Sequence, residues 1–156
     1  MSEFIISKLE FLQYKPALDL AFDTFMLFEA PEYLQSGIDS FKSFVYGDLI
    51  KQMYDDGKFI MWQCTCNGKI VGVLAIRDTT HISLLFVHKD FHRQGIGRML
   101  FNNAVNYLNS TIKPEFMTVN SSPYGLPFYR AVGFKETDME QIDDGIRYTP
   151  MKAKLL

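Results

Sequence analysis

Residues 84–108 read LLFVHKDFHRQGIGRMLFNNAVNYL, and the rest of the chain is understood by working outward from them. The apolar run Ile82 to Val87 has the composition of a buried strand. A polar loop follows and ends in Gly95-Ile96-Gly97, where a segment of helical spacing begins. Strand, glycine-rich loop and helix N-terminus together suit a phosphate group. Unpaired backbone N–H groups converge there, and the helix dipole adds partial positive charge. Glycine has no Cβ, so the backbone can approach an anion closely. Arg93 and Arg98 flank the glycines and can add charge-assisted contacts. The stretch predicts a phosphorylated ligand.

The chain has 156 residues, which predicts one domain over 1–156. It is 47% hydrophobic and 15% aromatic, enough for a packed core. A net charge of −2 argues against a general nucleic-acid or membrane-surface binder. No run approaches the roughly 18 apolar residues of a membrane span. The opening MSEFIISKLE lacks the apolar stretch of a signal peptide, so a cytoplasmic protein is expected. Cys64 and Cys66 alternate with Thr65 in a strand-like run and share one face, which predicts buried free thiols. His81, His88 and His92 show no ligand spacing, and no metal is expected.

Phe4 to Leu9 reads as a first strand. Pro16 suits a helix start, with an apolar stripe of Leu18, Ala21, Phe25 and Phe28, ended by Pro31. Ile38, Phe41, Val45, Leu49 and Met53 form a second helical stripe, closed by Asp55-Asp56-Gly57. Strands Phe59 to Cys66 and Lys69 to Arg77 flank Asn67-Gly68, the strongest short hairpin signal. A strand over Thr80 to Val87 leads to a helix over Gly95 to Leu108, and a strand covers Phe116 to Asn120. Ser121 to Ala131 reads as a short helix, stopped by Gly133. Strands Phe134 to Ile142 and Ile146 to Leu155 close the chain through Asp143-Asp144-Gly145. The order β-α-α-β-β-β-α-β-α-β-β predicts an α/β (α+β) architecture. Its sheet is mixed and mostly antiparallel, with about seven strands and helices on both faces.

The loop is not a P-loop, which needs G-x-x-x-x-G-K-[ST]. It is not a dinucleotide fingerprint either, because Arg98-Met99-Leu100 follows Gly97 where a third glycine is required. It resembles the loop of the GNAT superfamily of acyl-CoA-dependent N-acyltransferases, [Q/R]-x-x-G-x-[G/A], after a strand ending L-x-V. Here Leu85-Phe86-Val87 precedes His92-Arg93-Gln94-Gly95-Ile96-Gly97. His92 stands where the family has Gln or Arg. A second family motif follows about 25 residues on: Asn120, then Phe128-Tyr129, then Gly133-Phe134. The stretch TVNSSPYGLPFYRAVGF (118–134) and the closing GIRYTPMKAKL (145–155) are similar to bacterial members. The resemblance covers about Phe59 to the C-terminus.

The resemblance implies acetyl-CoA as co-substrate, with a pantetheine arm paired to backbone groups of Leu85 and Val87, Phe86 lying between. It implies a pyrophosphate on N–H groups from about Arg93 to Arg98, a stretch that includes Gln94, Gly95, Ile96 and Gly97. Asn120 is implied at the pantetheine arm, and Ser122, Gly125 and Phe128 as weaker cofactor-wall candidates. Tyr129 matches the family tyrosine whose hydroxyl serves as general acid toward the CoA thiolate. The group that takes a proton from the amine is open among Glu29, His81 and His88. Glu29, Glu32, Asp48 and a few of the aromatics between Phe22 and Tyr54 are candidates for an acceptor site suited to a cationic amine. The expected reaction is acetyl transfer to a primary amine of a small molecule, peptide or lysine, by direct attack in a ternary complex. A non-catalytic acyl-CoA-binding module and a transferase with a longer acyl donor are the alternatives. A homodimer through the last strands is a family-level expectation.

Overall fold

The computed structural model describes residues 3–155. Met1, Ser2 and Leu156, at the ends of the expected 1–156 domain, lie outside the described residues. The strands are β1 (Phe4–Lys8), β2 (Phe59–Cys66), β3 (Lys69–Arg77), β4 (His81–Val87), β5 (Phe116–Ser121), β6 (Lys135–Glu136), β7 (Gln141–Asp143) and β8 (Ile146–Lys154). The helices are α1 (Tyr14–Phe28), α2 (Gln35–Tyr46), α3 (Leu49–Asp55), α4 (Ile96–Ser110) and α5 (Leu126–Ala131). The sheet order is β1-β2-β3-β4-β5-β8-β6, with β7 paired to β8. Every pairing is antiparallel except β4 with β5.

Alternation along the strands sends side chains into two separate cores. Met61, Val73, Ala75, Leu84 and Phe86 pack beneath α1, α2 and α3. Trp62, Leu74, Ile76, Ile82 and Val119 pack beneath α4 and α5. Cys64 and Cys66 are free and buried on the α4 face, as their spacing predicts. Asn67 and Gly68 adopt the positive φ angles of a two-residue hairpin turn, 52° and 79°.

Three element boundaries differ from the sequence expectation. The second helical stripe is two helices, because the chain turns out of α2 at an extended Gly47 (φ −91°, ψ −165°). A Cβ there would collide with the Ser43 carbonyl, so the tight exit needs glycine. The helix expected from Ser121 begins only at Leu126, and β5 runs through Ser121. The Ser122 hydroxyl and carbonyl both accept from Gly125 N–H at 3.1 Å, forming a turn in place of the first helical turn. The strand expected over Phe134 to Ile142 is split into β6 and β7. Asp138 accepts from the Met139 N–H at 2.8 Å and from Gln141 Nε2 at 3.1 Å, which draws residues 138–140 off the ladder.

Parallel pairing of β4 with β5 is confined to His81 with Thr118 and Ile82 with Val119. A register shift in β4 follows, between the partners of Ala75 and Ile76. Beyond it the two strands separate. The gap opens a cleft of about 850 Å³ that reaches both helical layers.

Candidate active site

The cleft begins at the N-terminus of α4. Gly95 takes the position before the helix with φ of 80°, in the left-handed region that glycine tolerates. The first helical bond runs from Met99 N–H to the Gly95 carbonyl, so Ile96, Gly97 and Arg98 present N–H groups that no helical carbonyl can reach. Gly97 serves a neighbour more than an anion: a Cβ would lie 3.1 Å from the Phe128 ring, so glycine lets α4 sit against α5. Arg93 and Arg98 line the cleft, are exposed, and form no ion pair among the described residues. Gln94 is exposed and does not line the cleft.

The β4 side of the gap offers an unpaired strand edge. His88 N–H donates to the Val71 carbonyl at 2.8 Å. Alternation in an antiparallel pair then turns Phe86 toward β3 and the backbone groups of Leu85 and Val87 toward the gap. The Phe86 side chain is core, edge-on to Phe41 of α2 at 5.8 Å. One of the edge groups already has a partner: His92 Nε2 lies 2.8 Å from the Val87 carbonyl. A carbonyl only accepts, so His92 carries its proton on Nε2. His92 thus ties the loop to the end of β4.

Across the gap, Asn120 is exposed at the end of β5 and lines the cleft. Ser122 is buried beneath it, and Gly125 lies so close to the Tyr129 ring that a Cβ would stand 3.1 Å from it. Tyr129 is 8% exposed, with its ring edge-on to Phe128 and Phe134 at 5.4 Å each. Burial, then the Glu29 charge, then Tyr33 raise its phenol pKa well above the usual tyrosine range. Tyr129 therefore holds its proton and offers an O–H to the cleft.

Glu29 lies just past the end of α1, its N–H donating to the Phe25 carbonyl at 2.9 Å. Loss of hydration in the cleft pushes its carboxyl up to about 7, against an opposing effect of the Ser122 hydroxyl. Tyr33 completes the group. Its phenol is raised by burial and by Glu29, with Arg147 acting in the opposite direction. Arg147 itself is held by Glu32 at 2.8 Å and Glu140 at 2.6 Å. Tyr33 is one of the aromatics between Phe22 and Tyr54 offered by the sequence for an acceptor site, but the loop after Pro31 has no periodicity to orient it toward Glu29.

His81 also lines the cleft, with Nδ1 2.8 Å from Thr118 Oγ1. Burial, then Arg77, lowers its pKa to about 4, so the ring is neutral near pH 7. His88 is set aside as a base: its Nδ1 accepts from the Asp90 N–H at 3.1 Å and it does not line the cleft. Asp48 precedes α3 outside the cleft. Glu32 does not line it either, being engaged by Arg147. Of the aromatics between Phe22 and Tyr54, Phe28, Tyr33, Phe41 and Phe44 line the cleft. Phe22 and Tyr54 pack against other rings outside it.

The sequence profile described as the acetyltransferase (GNAT) domain matches residues 29–155. A UPF0039 protein of Schizosaccharomyces pombe is 32% identical over 98 residues, covering 57% of this chain and 63% of that protein. The chain therefore spans less than two thirds of that curated relative. Among solved structures, a GCN5-related N-acetyltransferase of Rhodopseudomonas palustris superposes with a TM-score of 0.79 at 18% identity, over 97% of this chain and 95% of that one. The PaiA N-acetyltransferase of Thermoplasma acidophilum, solved in complex with coenzyme A, superposes with a TM-score of 0.76 at 16% identity, over 97% and 99%. At those identities the likeness is one of fold, and the family assignment rests on the profile match together with the loop and the Asn120…Phe128-Tyr129…Gly133-Phe134 motif. The chain belongs to the GNAT acetyltransferase family.

Proposed function

We propose that this protein transfers an acetyl group from acetyl-CoA to a primary amine, by direct attack within a ternary complex. The observation that carries the reading is the meeting of a raised carboxyl, Glu29, with a proton-holding phenol, Tyr129, at one end of a gap whose other end is a free helix N-terminus. The α4 N–H groups with Arg93 and Arg98 suit the pyrophosphate. The free groups of Leu85 and the Val87 N–H suit the amides of the pantetheine arm, with Asn120 opposite. That the Thermoplasma acidophilum protein of the same fold was solved in complex with coenzyme A supports coenzyme A as the ligand.

The amine must lose a proton to become a nucleophile. Glu29, with its carboxyl near 7, is an effective acceptor at neutral pH. His81, kept neutral by burial, is a weak base and suits a hydrogen-bonding role toward the acceptor. The amine nitrogen forms a bond to the thioester carbon and the carbon–sulfur bond breaks. The sulfur leaves as a thiolate, whose pKa is near that of an ordinary thiol, about 8.5, and it takes up the second proton that the nitrogen sheds after attack, so the products are a neutral amide and the free thiol. Tyr129 binds its proton more tightly than that, so its service is a hydrogen bond to the developing thiolate more than complete transfer. When Glu29 gains the amine proton its charge vanishes, and one of the causes holding the Tyr129 proton vanishes with it. The two steps thereby assist each other.

Thiol release from acetyl-CoA with a panel of amines, beside calorimetry of CoA binding, tests this reading. Amine-dependent release supports it, binding without release from any amine would favour an acyl-CoA-binding module, and absence of binding would overturn it. Release that prefers longer acyl thioesters would reassign the donor.

A further inference from the structure

Phe28 is the last residue of α1 and the neighbour of Glu29, and its ring is held on both sides. The His92 ring lies 4.9 Å away between centroids, tilted by 41°. The Tyr124 ring stacks on it at 5.1 Å and 22°. The two partners come from opposite sides of the gap. His92 belongs to the loop after β4 and is bonded to the Val87 carbonyl. Tyr124 belongs to the turn between β5 and α5, two residues beyond Ser122. All three rings line the cleft. A row of rings thus joins the end of β4 to the start of α5, with the last turn of α1 at its centre.

The geometry points to Phe28 and His92 as positioning residues that hold Glu29 in register with Ser122 and Tyr129, an inference that rests on Glu29 acting as the base. Two side chains anchor the last turn of α1, Phe25 at its start and Phe28 at its end. Phe25 is fully buried in the core, while Met26 and Leu27 are 42% and 54% exposed. Phe28 is therefore the final anchored side chain before the carboxylate. Glu29 is faced by Ser122 from the β5–α5 turn, Tyr129 from α5 and Tyr33 from its own loop, with Arg147 of β8 beyond Tyr33. A displacement of about 1 Å among such groups costs as much as 100-fold in rate. The row also accounts for histidine at position 92. A Gln side chain could donate to the Val87 carbonyl but has no ring to pack on Phe28, whereas the imidazole does both. The loop that suits the pyrophosphate starts at the next residue, so both ends of the cleft share one side-chain connection.

The test uses the full chain and the variants Phe28→Leu, Phe28→Tyr, His92→Gln, Tyr124→Leu and Glu29→Gln. Tyr124 lies on an exposed turn, so its replacement keeps the test alive if Phe28→Leu folds poorly. The Glu29 carboxyl is titrated by carbon NMR, which needs no turnover, and kcat and both KM values are measured with acetyl-CoA and an amine the wild type acetylates. Phe28→Leu and His92→Gln are expected to lower the Glu29 titration midpoint by about one unit as water reaches the loosened helix end. Their kcat is expected to fall about tenfold or more with the acetyl-CoA KM within about twofold. Tyr124→Leu should move both readouts the same way by less, and Phe28→Tyr should restore them. An unchanged midpoint and kcat would overturn the inference. So would an effect confined to the acetyl-CoA KM, which would make the rings a cofactor wall. Loss of activity in Glu29→Gln with none in Phe28→Leu would sink the positioning role alone; no loss in Glu29→Gln would sink the base assignment and this inference together.

Discussion

Glu29 and Tyr129 come from the helical layers on opposite faces of the sheet, and the Glu29 charge raises the Tyr129 pKa through the gap between β4 and β5. The gap exists because parallel pairing stops after Ile82 and Val119. One local failure of strand pairing thus supplies both an unpaired strand edge and the opening through which a raised carboxyl and a proton-holding phenol face one cleft.

Tyr129→Phe removes one oxygen and leaves the ring contacts with Phe128 and Phe134 intact. With a buried hydroxyl acting on the leaving sulfur, kcat is expected to fall by about 100-fold or more. CoA affinity should stay within about twofold, because the phenol acts at the reacting end only. Steady-state kinetics beside calorimetry check this. A fall in CoA affinity that matches the fall in kcat/KM would instead make Tyr129 a binding residue.

Arg93→Ala with Arg98→Ala should weaken CoA binding by about tenfold, since both side chains are exposed and charge-assisted contacts there are partly screened. The loss should shrink as salt is raised, because screening already weakens those contacts in the wild type. Calorimetry at two ionic strengths reads both effects. Equal losses at both would mean that neither arginine acts through charge.

Arg147 is a rim residue with two carboxylate partners, Glu32 and Glu140, all partly open to solvent. Exposed pairs of this kind contribute about 1 kcal/mol or less, so Arg147→Ala should shift the unfolding midpoint little. Glu32 shares the loop that carries Tyr33, and releasing it should raise the amine KM several-fold, about threefold or more, with the acetyl-CoA KM unchanged. A uniform loss in both KM values would point to general loosening.

The sheet, the phosphate-type loop and the family motif are legible in the sequence because each depends on neighbours close along the chain. Asn67-Gly68 marks its own turn, and Leu85 to Gly97 encode strand, loop and helix start without distant help. Breaks imposed by tertiary packing are less visible. The stripe from Ile38 to Met53 continues in helical phase across Gly47, and only the Ser43 carbonyl shows why the helix stops. The same holds for the site. Glu29 stands among several acidic residues of similar sequence context, and its distinction is the desolvation it meets near Ser122, Tyr33 and Tyr129. His92 reads as a departure from a motif until its bond to Val87 and its place against Phe28 are seen.

Glu29→Gln should expose a conflict between stability and activity. Burial pushes the folded carboxyl up to about 7, from an ordinary glutamate value of 4.5. A carboxyl raised on folding favours the native state below the unfolded value, and that contribution is lost as pH rises through the folded value. The wild type therefore carries an ionised, poorly hydrated carboxylate at pH 8, at a cost on the order of 3 kcal/mol. Glutamine has no charge to desolvate. The variant should be more stable than wild type at pH 8, with the advantage fading as pH falls from about 7 to 4.5, below which wild-type Glu29 is protonated in both states. Over the same interval wild-type kcat/KM should rise with pH as Glu29 becomes a base, and the variant should lose that limb. Denaturant unfolding at pH 8 and pH 4.5, set beside the pH–rate profiles, checks both sides. A variant no more stable at pH 8 than wild type would mean that the carboxylate is hydrated in solution and its pKa ordinary.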